Sequence, residues 1–419
     1  MDISDKHVLR IATAGSVDDG KSTLIGRLLF DTKSITSDRL LAIEETSKRK
    51  GLDYIDLSLL TDGLVAEREQ GITIDVAHIY FATQQRKYII ADAPGHIEYT
   101  RNMVTGASNA DVSLILIDGR NGLVEQTKRH LYIAHLLQVP RVVVCINKMD
   151  LVDYDKNQFE SIVEDVKSLV EGANLSGLSL DFLPISSLYG ENIVSKSKAM
   201  PWFKGGSLLA LLETMEVKTN QTELTSRFPI QSVIRPKTLE HHDYRGYVGR
   251  VVSGSFKVGD TVSILPTREK STIISMHKYK DEIIEALAGE SINILLKDNL
   301  GASRGDMIVK ENNLEASHLI SAQICWLDDS PLVAGKTYKL QHGVNESRAK
   351  IIGLDHRVNI ESMLRESGVS EFRLNDIGEV KLKLAKPIMA DPYRHNRRNG
   401  AFILIDMFTN NTVGVGFVL

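Results

Sequence analysis

The sequence predicts an α/β domain built on a mostly parallel sheet, followed by strand-rich segments of which the first is a small antiparallel barrel. Three observations carry this. Apolar strand-like runs alternate with helical stretches from Val8 to about Glu213. A polar linker, Met215–Arg227, then interrupts the pattern. Beyond it, short alternating runs, Tyr247–Ser253 and Glu282–Ala286 among them, follow one another with turn signals between them. Alternating strands and helices place helices on both faces of a parallel sheet, and evenly spaced short strands suggest a barrel. A chain of 419 residues has room for two or three domains, each with its own core.

In the first domain the runs are Val8–Ala14, Ile74–Phe81, Tyr88–Ala91, Val112–Ile117, Val142–Ile146 and Phe182–Ile185. Ligands on such a sheet bind beyond the carboxyl ends of the strands, and each polar motif falls at one of those ends. Gly15-Ser16-Val17-Asp18-Asp19-Gly20-Lys21-Ser22 closes the first run and precedes the helical stretch Thr23–Leu29. It matches G-x-x-x-x-G-K-[ST]: its backbone N–H groups can wrap a polyphosphate, and the positive end of the helix faces the anion. Lys21 can reach the outer phosphates, and the Ser22 hydroxyl can bind Mg²⁺.

A charged segment from Asp31 to Gln70 follows, with short helices expected around Arg39–Arg49 and Asp62–Glu69. It leads to Thr73, ahead of a strand, where a threonine can offer its hydroxyl as a second Mg²⁺ ligand and its N–H to the γ-phosphate; on spacing alone such a threonine is more often an ordinary strand residue. Its value comes from Asp92-Ala93-Pro94-Gly95-His96, which closes the run Tyr88–Ala91. Asp92 can hold Mg²⁺, Gly95 can bring its N–H against the γ-phosphate where a side chain would hinder approach, and His96 can position an attacking water. The catalytic candidates are thus His96, Lys21 and Thr73, and the metal candidates are Ser22, Thr73 and Asp92.

Asn147-Lys148-Met149-Asp150 closes the run Val142–Ile146. The Asp150 carboxylate can accept from N1–H and the N2 amino group of guanine. Adenine offers neither donor, so GTP is told from ATP by buried polar groups left unpaired. Asn147 can tie this loop to the phosphate loop, the Lys148 stem can cover the ring, and Ser186-Ser187-Leu188 can supply a backbone donor to guanine O6. The first domain therefore reads as an α/β P-loop GTPase domain.

Composition narrows the class. Hydrophobic residues make up 42% and charged residues 25%, as in an ordinary soluble protein. No apolar run approaches a membrane span, and Met1–Arg10 is too polar for a secretion signal. A net charge of −4 leans against nucleic-acid gripping as the main task. The two cysteines, Cys145 and Cys325, lie far apart, and Cys145 sits in an apolar run as an inert core thiol. Nothing suggests disulfides or zinc, so a cytoplasmic location is expected.

The order Gly15…Ser22, Thr73, Asp92…His96, Asn147…Asp150, Ser186…Leu188 resembles the translation-factor class of GTPases. Three longer segments, Ser16–Lys33, Asp62–Ala77 and Tyr99–Ser108, resemble the large GTP-binding subunit of bacterial sulfate adenylyltransferase more closely. Elongation factors typically carry His where this chain has Asp19, and differ around Tyr99-Thr100-Arg101. One departure is Ser187, where the family usually has Ala; only a backbone contact is expected there. Arg245–Gly254 and Lys257–Asp260 resemble the second domain of such GTPases, and Leu374–Gly378 and Phe402–Asp406 with Thr409-Asn410 resemble the third domain of the sulfate-activating subunit. The fold class is then an α/β P-loop GTPase domain with a mostly parallel sheet followed by two β-barrel domains, with bounds expected at 1–214, 227–314 and 317–419.

The resemblance implies a GTPase subunit that works with a small catalytic subunit of sulfate adenylyltransferase, using GTP and Mg²⁺ to drive adenylyl transfer from ATP to sulfate. The alternative is an elongation-factor-like GTPase delivering aminoacyl-tRNA. The chain has one phosphate loop, which GTP takes, and no Ser-Gly-Gly-x-Asp-Ser pyrophosphate loop; Gly335-Lys336-Thr337 fails as a second, because Ser330 stands at the leading glycine position and no apolar strand precedes it. Pro392–Arg398 is the most basic stretch and reads as a loop contact with a protein partner or a solvated face rather than an RNA site.

Overall fold

The computed structural model describes residues 8–49, 51, 54–60, 77–92, 100–175, 177–216, 222–235, 244–310 and 314–419. Contacts divide the chain into two compact units, residues 1–217 with 359–364, and residues 218–358 with 365–419.

The first unit runs β1 (Val8–Ala14), α1 (Lys21–Asp31), α2 (Ser37–Arg49), β2 (Ala77–Ala82), β3 (Lys87–Asp92), α3 (Thr100–Ala107), β4 (Val112–Asp118), α4 (Glu125–Leu136), β5 (Arg141–Asn147), α5 (Lys156–Gly172), β6 (Ser179–Pro184) and α6 (Leu208–Thr214). The sheet order is β2-β3-β1-β4-β5-β6. All neighbours are parallel except β2, which turns back on β3 as an antiparallel edge. β4 is buried at every position, as a parallel strand covered on both faces must be, and this explains its apolar run Leu114–Ile117. Register brings the strand ends level: Thr13 pairs beside Asp92, and Asp118 beside Asn147. The expected helix Asp62–Glu69 and the first residues of the run Ile74–Phe81 lie outside the described residues.

In the second unit the first barrel comprises β7 (Arg227–Ile234), β8 (Gly246–Arg250), β9 (Ser255–Lys257), β10 (Thr261–Leu265), β11 (Glu269–Lys278), β12 (Asp281–Ile283), β13 (Glu285–Leu287), β14 (Ser291–Leu296) and β15 (Met307–Val309). The path β10-β15-β7-β8-β14-β11 returns to β10 and closes the sheet around Phe228, Tyr247, Phe256 and Ile294. Two runs differ from the sequence expectation. Glu282–Ala286 is two strands, because β12 folds back on β11 whereas β13 leaves to pair with β9. Tyr247–Ser253 stops being a strand at Arg250, and Ser253 instead bridges to Arg227. Gly254 follows at φ 70°, where an added Cβ would meet Ser226 Oγ at 2.4 Å, so only glycine fits that turn.

The second barrel comprises β16 (Ser317–Trp326), β17 (Leu332–Val333), β18 (Thr337–His342), β19 (Asn345–Val358), β20 (Arg365–Ser367), β21 (Glu371–Phe372), β22 (Ile377–Ile388), β23 (Ala401–Ile405) and β24 (Thr412–Val418). It closes along β18-β23-β24-β16-β22-β19 and back to β18, over Trp326, Leu340, Phe372, Val380 and Phe402. The fold is thus an α/β domain with a mostly parallel sheet, then two closed antiparallel β-barrels.

The basic stretch Pro392–Arg398 is only partly the solvated face expected of it. Tyr393 and Asn396 turn inward, and Asn396 Nδ2 donates to Ser253 Oγ at 2.9 Å and to Asp391 Oδ2 at 3.0 Å. Asp391 also takes both arms of the buried Arg227 guanidinium, at 3.2 and 3.0 Å, and Asn399 Nδ2 at 2.8 Å. A buried charge must be paired and hydrogen-bonded, and these residues saturate it. Cys145 in β5 and Cys325 in β16 are both buried and outside any disulfide, and burial pushes the Cys145 thiol up to about 12.

Candidate functional site

The site forms where β1, β3, β4 and β5 end. β1 passes into the loop Gly15–Gly20, and α1 begins at Lys21. Gly20 has φ 90°, and a Cβ there would sit 2.5 Å from Asn147 Nδ2. Left-handed backbone and close approach both require glycine. No side chain caps α1 and its first turn carries no acid, so its N–H groups remain open to an anion. Lys21 is buried and its Nζ donates to Gly15 O at 3.0 Å and Ser16 O at 3.5 Å. Burial pulls its pKa down, opposed by the charges of Asp92 and Asp19. The Ser16 N–H donates to Asp19 Oδ2 at 2.6 Å.

At the end of β3 the Asp92 carboxylate is 1% exposed and accepts from Thr13 Oγ1 at 2.8 Å. Ser22, on the first turn of α1, makes no side-chain hydrogen bond among the described residues. Hydroxyl and carboxylate oxygens are hard donors of the kind Mg²⁺ takes alongside phosphate and water. Among the described residues no cluster of His, Cys, Asp and Glu forms an all-protein metal cage. The donor set therefore fits a cation shared with a bound polyphosphate. Thr73, Ala93, Pro94, Gly95 and His96 lie outside the described residues.

The base-reading end is more tightly knit. Asn147, 1% exposed, donates through Nδ2 to Asp19 O at 2.7 Å and accepts through Oδ1 from Ser187 N at 2.9 Å. One side chain thereby joins three loops. Ser186 Oγ donates to Asp150 Oδ1 at 2.5 Å, which orients the carboxylate. Lys148, at φ 60°, reaches Asp118 Oδ2 at 3.0 Å. With the Ser187 N–H committed to Asn147, the Leu188 N–H is the donor in Ser186–Leu188 that remains without a hydrogen bond among the described residues. Val17, Asp18, Thr23 and Met149 complete the loops, with Met149 N donating to Ile185 O at 3.2 Å.

Four residues that motif reading missed support these loops. Thr13 holds Asp92. Arg27 of α1 donates to Ser187 O at 3.3 Å and to Leu188 O, strapping the base loop to the phosphate-loop helix. Asp118 receives Arg120 Nη2 at 2.6 Å as well as Lys148. Burial pushes the Asp118 carboxyl up, but the hydrogen bonds from Arg120 and Lys148 outweigh it and hold it down at about 2. A charged residue ending a fully apolar run was the signal for Asp118, as it was for Asp92; Thr13 and Arg27 carried none.

The sequence matches the family described as elongation factor Tu GTP binding domain over residues 6–226, and a GTP-eEF1A C-terminal domain-like family over residues 319–419. The chain therefore carries a GTPase domain of the translation-factor class. Full-length relatives narrow this. It is 45% identical over 417 residues to sulfate adenylyltransferase subunit 1 of Pseudoalteromonas atlantica, covering 99% of this chain and 87% of that one. The corresponding subunit of Francisella tularensis subsp. novicida gives the same identity and coverage. The bifunctional enzyme CysN/CysC of Mycobacterium tuberculosis is 45% identical over 98% of this chain and 67% of its own. This chain belongs to the sulfate adenylyltransferase subunit 1 family. The alternative of aminoacyl-tRNA delivery finds no support among these relatives.

Proposed function

We propose that this chain binds and hydrolyses GTP, and that turnover drives ATP + sulfate → adenosine 5′-phosphosulfate + pyrophosphate in a small partner subunit. The observation that carries this is the full-length likeness to subunits 1 of sulfate adenylyltransferase, joined to a site whose polar groups suit guanine and phosphate. The sulfate–phosphate anhydride is a high-energy bond, so adenylyl transfer lies uphill and gains from coupling to GTP + H₂O → GDP + phosphate. The adenylyl chemistry is assigned to the partner, because the single phosphate loop here is taken by GTP.

In this proposal Gly15–Thr23 cradle the phosphates, Lys21 neutralises their charge, and Asp150 with the Leu188 N–H reads guanine. Ser22, Asp92 and Thr73 would hold Mg²⁺, which would supply neutralisation of the phosphate charge. His96 orients water for attack, within Asp92–His96. Domain bounds are set at 1–214, 227–314 and 317–419, supported by the polar linker after α6 and the separate closure of the two barrels. No described helix is long and apolar enough to cross a membrane, and two buried cysteines outside any disulfide suit a cytoplasmic setting.

The test measures phosphosulfate formation and phosphate release from GTP together, with and without the partner, ATP and sulfate. The chain alone should make no phosphosulfate and hydrolyse GTP slowly, and partner, ATP and sulfate together should raise GTP turnover. His96→Ala should keep GTP binding and slow hydrolysis by roughly 10²-fold. Phosphosulfate made by this chain alone, or a complex whose GTPase rate ignores ATP and sulfate, overturns the proposal.

A further inference from the structure

We propose that Asp19 is a built-in negative charge in the phosphate cradle that shortens the stay of bound guanine nucleotide, the more so the more phosphates it carries; this deepens the nucleotide-site proposal and rests on it. The Asp19 carboxylate is 6% exposed, and its Oδ2 is fixed on the Ser16 N–H at 2.6 Å. A Cβ built on Gly15 would lie 3.4 Å from that same oxygen, so the carboxylate is tucked into the curl of the loop. The backbone carbonyl of Asp19 is held by Asn147 Nδ2 at 2.7 Å, which fixes the residue from the other side.

A buried carboxylate ordinarily has a cation beside it. Among the described residues Asp19 has none within ion-pair distance: Lys148 is engaged by Asp118 at 3.0 Å, and Lys21 Nζ is held by the Gly15 and Ser16 carbonyls. Burial accordingly pushes the Asp19 carboxyl up, opposed by the Ser16 N–H and the charge of Lys21. A loop that wraps a polyphosphate brings several negative charges close to anything on its inner wall, and a buried site is little screened by salt. The resulting repulsion grows with the number of phosphates.

Loop shape does not explain the charge. An asparagine offers the same acceptor to the Ser16 N–H. What the carboxylate adds is repulsion, and a subunit that turns over GTP repeatedly needs GDP to leave each time.

The experiment follows release of fluorescent GDP from the full-length chain at fixed Mg²⁺, for wild type, Asp19→Asn, Asp19→His and Asp19→Ala, with affinities for guanosine, GMP and GDP measured beside it. Asp19→Asn should slow GDP release about tenfold, with almost no gain for guanosine and an intermediate gain for GMP. Asp19→His should act in the same direction and keeps the test open if the asparagine variant does not fold. Unchanged or faster GDP release from the folded variants overturns the proposal while leaving the nucleotide site standing. A gain equal for guanosine, GMP and GDP also overturns it, since a purely structural role would not count phosphates. Wild type that binds no guanine nucleotide ends both.

Discussion

The two ends of the candidate site are built on opposite terms. At the base-reading end the polar side chains are matched: Asn147 bonds in two directions, Asp150 is held by Ser186, and Asp118 takes Lys148 and Arg120. At the phosphate end Lys21 makes do with backbone carbonyls, Asp19 has no cation within reach among the described residues, and the Ser16 hydroxyl is buried without a partner. Matched groups give a rigid site, as reading one base over another requires. The Lys21 charge costs free energy until an anion supplies its partner, whereas the Asp19 carboxylate would repel that anion, which together suit the proposed uptake and release of phosphates. His130 on α4 belongs with the second group: it is 3% exposed, and its Nδ1 has no partner among the described residues.

The largest expected effect breaks the phosphate end. Lys21→Ala should weaken GTP and GDP binding about a hundredfold or more, since it removes a buried charge aimed at the phosphates. Isothermal titration with both nucleotides checks this, and a loss under threefold would mean that Lys21 does not face them. Asp150→Asn comes next: guanine binding should fall by about 2–4 kcal/mol, because the amide cannot accept from both N1–H and N2. Xanthine nucleotides should gain, since their C2 carbonyl can accept from that amide. A competition assay in which GTP still outcompetes XTP would remove Asp150 from the base.

Asn147→Ala sharpens the contrast on the stability side. It orphans the Asp19 carbonyl and the Ser187 N–H, both buried, at about 1–3 kcal/mol. Thermal unfolding without nucleotide should already show the loss, as a group matched within the chain requires. A melting temperature unchanged without nucleotide would show that the network contributes only when ligand is bound.

A last effect, spread thinly over several pH units, separates the two ends by pH. Burial first, and then the charges of Lys21 and Arg129, push the His130 imidazole down to about 3. An unfolded histidine takes its proton near 6.5, so between those values the unfolded chain binds the extra proton and stability falls as the pH falls. The slope is at most about 1.4 kcal/mol per pH unit for one proton. Asp118, held down at about 2, works lower: its contribution is complete above its unfolded pKa, near 4, and is lost as the pH falls towards 2. Melts of wild type and His130→Gln from pH 7 to 4 should converge as the pH drops, and parallel curves would show that His130 is not held neutral by the fold.

Sequence alone determined the class of this protein and named candidate positions for its chemistry. Phosphate loops, strand-end aspartates and base-reading tetrads need particular residue types at particular spacings, because backbone conformation and donor sets are local, and such patterns survive in a linear chain. Strand and helix alternation was likewise legible, since burial on both faces demands the apolar runs seen in β4 and β5. Tertiary structure decided the rest. Arg27 reaches the Leu188 carbonyl and Thr13 reaches Asp92 only because the β1 and β3 ends are level and α1 crosses them, pairings between residues far apart in the chain that no spacing encodes. The split of Glu282–Ala286 and the inward turn of Asn396 have the same origin: partner strands and a buried charge, not local propensity, set where those residues went.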